Sequence, residues 1–225
     1  MKCIKLFIAM SFFSLALVSC SSEDEEVYSC DKSVNQWVKA HVAEIKKMDR
    51  VQWLNVDQQK KIPIYRAFTP EQRIQFWEAK FKEINELPWT LEEKKHIEKV
   101  IVFFRTHEDY MYESPTDSQL DEIDKFFYKW QSYAIDSLGW RKELCYAIAG
   151  SGEKLKNTKG EFELAEKQSL TSKTKSTKVE SSCNCNLTYD FCTGIAPCEN
   201  VACNGSNWGC GWLLVSSCNG LCGGI

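Results

Sequence analysis

The chain has little of what catalysis, metal binding or nucleic-acid binding usually requires. Its three histidines are scattered over 225 residues, and it contains no glycine-rich phosphate loop. No serine lies in a nucleophile-elbow sequence, and no two carboxylates stand out as an acid and a base. A net charge of −3 does not favour nucleic acid as a partner. We therefore expect no enzyme, no metal and no cofactor, and an enzyme in the helical part ranks last among the hypotheses.

Long apolar runs are also missing after the first twenty residues. Lys2 and Lys5 accompany an apolar stretch over residues 4–18, which is too short for a comfortable membrane span. Leu17-Val18-Ser19-Cys20 follows, and this pattern resembles the lipobox of bacterial lipoproteins. The resemblance implies a signal peptide over residues 1–19 and a membrane anchor through lipidated Cys20. The alternative is an ordinary secretory signal in which Cys20 is incidental.

An acidic run lies directly after Cys20, within a tether that we assign to residues 20–30. It has the sequence Ser21-Ser22-Glu23-Asp24-Glu25-Glu26 and resembles the surface-export signal of Bacteroidetes lipoproteins. That resemblance implies an outer-membrane or cell-surface location. The alternative is a solvated tether that keeps the rest of the chain away from the membrane.

Residues 31–150 contain few glycines and show helical periodicity throughout, which predicts a mainly α fold with a helical bundle. Helix starts are indicated by capping patterns, and Gly139 should break the helical pattern. A short helix is expected over residues 51–68, interrupted near Pro63. The many aromatic residues on the apolar faces are interpreted as the bundle core. The predicted helix starts are Asp31, Thr69-Pro70-Glu71-Gln72, Thr90-Leu91-Glu92-Glu93 and Ser114-Pro115-Thr116.

Two isolated cysteines, Cys30 and Cys145, flank the helical region. In an oxidising compartment they would be able to pair and close the bundle, which would contribute about 2–4 kcal/mol. The alternative is that both remain unpaired thiols.

Residues 151–180 are rich in Lys, Ser and Thr, and apolar residues nearly vanish after Leu170. Such a composition buries too little apolar surface to offset the entropy of the chain, so it predicts a flexible linker. The linker is either a processing site, with cleavage near residues 180–182, or a plain spacer.

Eight cysteines crowd into residues 181–225, which we call the C-terminal module. An even, dense set in a short exported segment predicts a disulfide framework. Zinc is disfavoured because paired Cys-x2-Cys knuckles are missing and no histidine follows His107. The 105 connectivities stay open. The eight are Cys183, Cys185, Cys192, Cys198, Cys203, Cys210, Cys218 and Cys222.

The early cysteine spacing in this module is similar to that of the bacteriocin fulvocin C-related proteins. The resemblance rests on Cys183-Asn184-Cys185, Cys192 and Cys198, and on Gly209-Cys210-Gly211-Trp212 with Cys218-Asn219-Gly220. A helical domain followed by a cysteine-rich tail is also similar to the larger members of that family. The later spacings are looser here, including the three residues between Cys218 and Cys222. The resemblance implies a module that kills related bacteria.

Lys and Arg are absent from the module, so it is not a cationic membrane-attacking peptide. Tyr189, Phe191, Trp208 and Trp212 are candidates for an exposed patch that meets a target-cell receptor or an envelope component. The alternative is that they pack over the disulfides. The leading hypothesis is a lipoprotein carrying a bacteriocin-like effector module, released by proteolysis. The alternative is a non-toxic surface lipoprotein whose stapled tip is a binding or adhesion head.

Overall fold

The computed structural model describes residues 26–163, 185–187, 198–200 and 208–222, and it is mainly helical, which confirms the predicted fold class. Cys20 and the rest of the anchor region lie outside the described residues. The described elements are α1 (Lys32–Ile45), α2 (Arg50–Leu54), α3 (Gln58–Arg66), α4 (Pro70–Asn85), α5 (Leu91–Thr106), the 3₁₀ helix η1 (Glu108–Met111), α6 (Asp117–Leu138), α7 (Lys142–Ala149), β1 (Cys198–Asn200), the 3₁₀ turn η2 (Trp212–Leu214) and β2 (Gly220–Cys222).

The predicted helix starts are confirmed by local hydrogen bonds. Asp31 accepts from the backbone N–H of Val34 at the start of α1. Helices α4, α5 and α6 each begin with a capping box, in which a threonine and the Gln or Glu three residues later satisfy each other's backbone N–H. The three capping threonines are Thr69, Thr90 and Thr116.

The two predicted helix breaks have different outcomes. Gly139 ends α6 in the left-handed conformation, with φ of +68°, which a residue without a Cβ adopts at little cost. The predicted interruption at Pro63 is wrong, because Pro63 lies inside α3 and is buried there. The break falls instead over residues 55–57, between α2 and α3.

The helices pack in neighbouring pairs: α1 on α3, α2 on α4, α5 on α6, and α6 on α7. Their aromatic side chains form the core, as predicted, with Trp77, Phe104 and Phe127 fully buried. The same core also contains the tail residues Trp208 and Trp212 to Val215, and η2 contacts both α6 and α7. The helices and the tail therefore share one hydrophobic core.

The described part of the C-terminal module is held by two disulfide bonds and a short antiparallel sheet. The bonds are Cys185–Cys198 and Cys210–Cys218. Strands β1 and β2 pair with Cys198 opposite Cys222, and Cys185 forms a bridge to Gly220. A Cβ on Gly220 would lie 2.4 Å from the Cys198 Sγ, so only glycine allows the strand to approach the disulfide this closely. The predicted disulfide framework is confirmed for these two pairs.

The linker prediction is wrong for its first part. Residues 151–163 are ordered against the helices, with Leu155 buried and bridged to Phe162. Three buried cations fix the start of this segment. Lys80 donates to the carbonyls of Ala147, Ser151 and Glu153. Arg50 donates to the Gly152 carbonyl at 2.9 Å, and Lys61 binds both Glu153 carboxylate oxygens at 2.7 Å. Residues 164–180 lie outside the described residues.

Candidate functional site: the junction between the helices and the tail

The most elaborate arrangement of described side chains is the junction between the helices and residues 208–218, which we call the tail segment. Its apolar centre is Trp212, whose side chain is 4% exposed. The Trp212 ring stacks on Phe127 of α6 at 4.5 Å between centroids and 9° between planes. Its edge also meets the Trp130 ring at 6.3 Å. Trp212 thus occupies the position of a core residue of the helical domain.

The tail backbone is folded tightly to present these side chains. Gly209 donates to the Leu214 carbonyl, and Cys210 and Ser216 exchange hydrogen bonds, so the segment closes on itself around η2. Leu213 and Leu214 adopt left-handed backbone angles, with φ of +53° and +55°. Such angles cost roughly 1–3 kcal/mol for a residue with a side chain. Burial of both leucine side chains against the helices offsets this strain.

A pair of buried arginines holds the tail segment from the helical side. Arg66, at the end of α3, donates from Nε to the Trp208 carbonyl at 2.7 Å and from Nη1 to the Tyr28 carbonyl at 2.9 Å. The Arg73 guanidinium of α4 lies 4.1 Å from the centre of the Trp208 ring. Arg73 also donates to the carbonyls of Met111 and Arg66, both at 3.1 Å. The two arginines therefore connect residues 26–31, which we call the N-terminal segment, with α3, α4 and the tail segment.

These arginines are desolvated and satisfied mainly by backbone carbonyls. Burial lowers the pKa of Arg66 to about 10, and burial also lowers the pKa of Arg73. Both guanidiniums remain charged near neutral pH, so each of their hydrogen bonds is charge-assisted. The Arg66 Nη2 has no hydrogen-bond partner among the described residues.

A second hydrogen-bond chain supports the apolar centre. Trp77 of α4 donates from Nε1 to the Tyr65 hydroxyl at 3.1 Å, and that hydroxyl donates to the Leu213 carbonyl at 3.4 Å. Burial raises the pKa of Tyr65 to about 12, so the hydroxyl keeps its proton for this bond. The polar backbone of the strained turn is thereby satisfied inside the core.

The two candidates for an exposed patch that the structure describes are both buried. Trp208 is 8% exposed and Trp212 is 4% exposed, so the prediction of an exposed patch is wrong for them. Trp212 packs on Phe127 and Trp208 lies against Arg73, and these contacts remove both rings from water. The alternative of packing over the disulfides does not describe Trp212 either, since its stacking partner is Phe127. Tyr189 and Phe191 lie outside the described residues.

The predicted Cys30–Cys145 bridge is not formed, and both cysteines are free. Cys145 lies on α7 and is fully buried in the helical core, where burial raises the pKa of its thiol to about 12. Cys30 instead precedes α1 and packs against the Cys210–Cys218 disulfide, together with Ile62. The pairing is absent because these two cysteines are packed into different clusters.

The described residues contain no group of His, Cys, Asp and Glu side chains able to hold a metal ion. Over the same part of the chain, none of the helices has the length and apolar character needed to cross a membrane. Of the eight module cysteines, Cys183, Cys192, Cys203 and the side chain of Cys222 lie outside the described residues. The helices and the tail segment share one hydrophobic cluster, so the helical domain binds an apolar segment of the same chain.

Comparison of the chain with protein-family models, with curated proteins and with solved structures finds no match.

Proposed function

We propose that the protein is an exported lipoprotein, anchored through Cys20, whose helical domain masks the apolar segment of a fulvocin C-like effector module. The observation that carries this proposal is the burial of Trp208 and Trp212 in the core of the helical domain. Separation of the module would expose these rings with Leu213, Leu214 and Val215 as one apolar patch. Patches of this kind usually bind another protein or a membrane.

Masking also explains why the helical domain would be retained in a precursor. A small disulfide-rich module rarely has enough core of its own to cover large aromatic side chains. The helical domain supplies Phe127 and the Arg66–Arg73 pair, which cover the rings and satisfy the Trp208 carbonyl. On this proposal the effector acts on a receptor or envelope component of a target cell, without catalysis, after it leaves the helical domain.

The junction implies that cutting the linker does not by itself release the module. A cut near residues 180–182 would leave the tail segment bound by its buried rings and by Arg66. Release then requires a second event that opens the junction, such as contact with a competing apolar surface.

The test compares intact, cut and separated forms of one protein. A specific protease sequence is inserted between Glu180 and Ser181 of the full chain, and a scrambled insertion serves as the uncleavable control. We expect growth inhibition of related strains only from the separated module, and co-elution of the two parts after cutting alone. A separated module with its disulfides intact that inhibits no strain in a broad panel of relatives would contradict the effector function. An intact chain that inhibits as strongly as the separated module would contradict masking.

The second candidate is a non-toxic surface binding protein, and one observation favours it. The tail segment completes the core of the helical domain, so an uncut chain keeps its apolar side chains buried. Mass spectrometry of cell-associated protein separates the two functions. Intact chain on the cell surface supports the binding protein, whereas a released fragment that begins near Cys183 supports the effector.

A further inference from the structure

Three cysteines pack together where the N-terminal segment reaches the tail segment. Cys30 is a free, half-buried thiol directly before the Asp31 cap of α1. It packs against the buried Cys210–Cys218 disulfide, and Ile62 of α3 completes the cluster. A free thiol in contact with a disulfide is the arrangement from which thiol–disulfide exchange starts.

A buried positive charge lies beside this cluster, since Arg66 and Ile62 both approach Gly209, the residue before Cys210. Arg66 is 5% exposed, and its Nη2 has no hydrogen-bond partner among the described residues. Burial lowers the pKa of Arg66 to about 10, so the guanidinium stays charged near neutral pH. Arg66 donates to the Tyr28 carbonyl, two residues before Cys30, and to the Trp208 carbonyl, two residues before Cys210, so it contacts the backbone close to both cysteines. Exchange requires an anionic sulfur, and a positive charge nearby is one of the surroundings that attract such a sulfur.

The backbone beside the disulfide also lies very close to α3. A Cβ on Gly209 would lie 2.6 Å from the Ile62 side chain and 3.4 Å from the Arg66 Nε. Gly209 has φ of +106°, which glycine alone adopts readily. Glycine at position 209 therefore allows the backbone next to Cys210 to lie against Ile62 and Arg66.

We propose that Cys30 is the attacking thiol of an internal exchange site whose substrate is the Cys210–Cys218 disulfide. The Cys30 thiolate attacks one of the two sulfurs, a new S–S bond forms to Cys30, and the old S–S bond breaks. The other cysteine leaves as a thiolate and takes a proton from water, which balances the proton that Cys30 gave up. The number of disulfides does not change, so the step needs no oxidant or reductant.

The exchange would tie the tail covalently to residue 30. In the unexchanged form, packing and the shared Arg66 connect the tail segment with the N-terminal segment. In the exchanged form, a bond across about 180 residues of sequence joins them, so a linker cut would leave the two parts attached. This inference does not depend on the effector function, because it concerns a bond within the chain.

The direct test labels the native full chain with N-ethylmaleimide at pH 8 without reductant, followed by acid quenching and non-reducing peptide mapping. We expect label on Cys210 or Cys218, together with a peptide in which the other of these cysteines is bonded to Cys30. Cys30→Ser should abolish both products. The matched control is Cys145→Ser, which removes the other free thiol among the described cysteines and should leave both products unchanged. Label confined to Cys30 in the native chain would overturn the proposal.

Trap variants then identify the attacked sulfur. Cys210→Ser and Cys218→Ser each leave one unpaired cysteine beside Cys30, and glutathione disulfide at about 1 mM supplies the oxidant. Because sulfurs held in one cluster have an effective concentration above the millimolar range, the Cys30 bridge should exceed the glutathione adduct by roughly ten-fold in one variant. Glutathione adducts with free Cys30 in both variants would contradict the proposal. If neither variant folds, the labelling of the native chain decides.

Discussion

The helical region and the C-terminal module are stabilised by different means, yet they share a core. The helices rely on aromatic burial and on capping hydrogen bonds that form within a few residues. The described module relies on two disulfides and a two-stranded sheet. Between them, Trp212 stacks on Phe127 and Arg66 binds Trp208. This comparison shows that a segment crosslinked by disulfide bonds need not be an independent domain.

The strongest way to break this comparison is Trp212→Ala. If the tail were an independent module, the substitution would leave the unfolding of the helices unchanged. Because Trp212 fills the helical core, we expect the free energy of unfolding of the whole chain to fall by about 3–5 kcal/mol. The measurement is urea unfolding followed by far-ultraviolet circular dichroism, which reports the helices.

The matched control for that experiment is Tyr128→Ala. Tyr128 neighbours Phe127 on α6 but is 74% exposed, so its loss should change the free energy of unfolding by less than about 0.5 kcal/mol. Equal effects from the two substitutions would refute a specific role for the junction.

The helical part of this comparison could be predicted from the sequence because its signals are local. Each capping threonine and its Gln or Glu partner are three residues apart, and Gly139 acts on its own backbone. The fold class and the three helix starts at Thr69, Thr90 and Thr116 follow from such patterns.

The junction could not be predicted in the same way, because its contacts join distant residues. Arg66 and the Trp208 carbonyl are 142 residues apart, and arginine is usually found on protein surfaces. An uncharged tail segment with two tryptophans is as compatible with an exposed patch as with a segment buried in the core. The position where the helical domain ends could not be predicted for the same reason. Gly152 accepts a hydrogen bond from Arg50, which lies 102 residues earlier in the sequence.

A sharper test of the polar part of the junction is Arg66→Met, which keeps an apolar side chain of similar length. It leaves the carbonyls of Trp208 and Tyr28 buried without donors, so we expect a loss of about 1–3 kcal/mol in the free energy of unfolding. Removal of a desolvated charge offsets part of this loss. The rate of amide hydrogen exchange should rise in residues 208–218 before it rises in α5.

The control for this substitution is Arg105→Met, which removes an exposed ion pair with Glu78. It should lower the free energy of unfolding by less than about 1 kcal/mol. Unchanged exchange in the tail segment would show that Arg66 does not hold it.

The smallest expected effect separates the two regions by their response to pH. His96 of α5 is buried, stacks on the Trp130 ring of α6 and donates from Nε2 to the Trp130 carbonyl. Its Nδ1 has no hydrogen-bond partner among the described residues, so protonation would bury an N–H without an acceptor. Burial lowers the pKa of His96 below 6.5, and the positive charge of Lys99 lowers it further, while the Trp130 bond acts in the opposite direction.

The sign of the pH effect follows from this lowered pKa. Above pH 6.5 both the folded and the unfolded chain carry neutral His96, and its full contribution to stability is present. As the pH falls through 6.5, the unfolded chain takes up a proton that the folded chain does not, so the free energy of unfolding decreases until the pKa of the folded state is reached.

The experiment uses the fact that no histidine follows His107 in the sequence. The tail segment therefore contains no histidine, and the helices should carry this pH dependence. We expect His96→Gln to remove the slope just below pH 6.5 in urea unfolding, whereas His41→Gln should retain it. The fall at lower pH, where Asp31 and Glu93 lose their lowered-pKa contributions, should persist in both variants. A slope that survives His96→Gln would place the proton elsewhere.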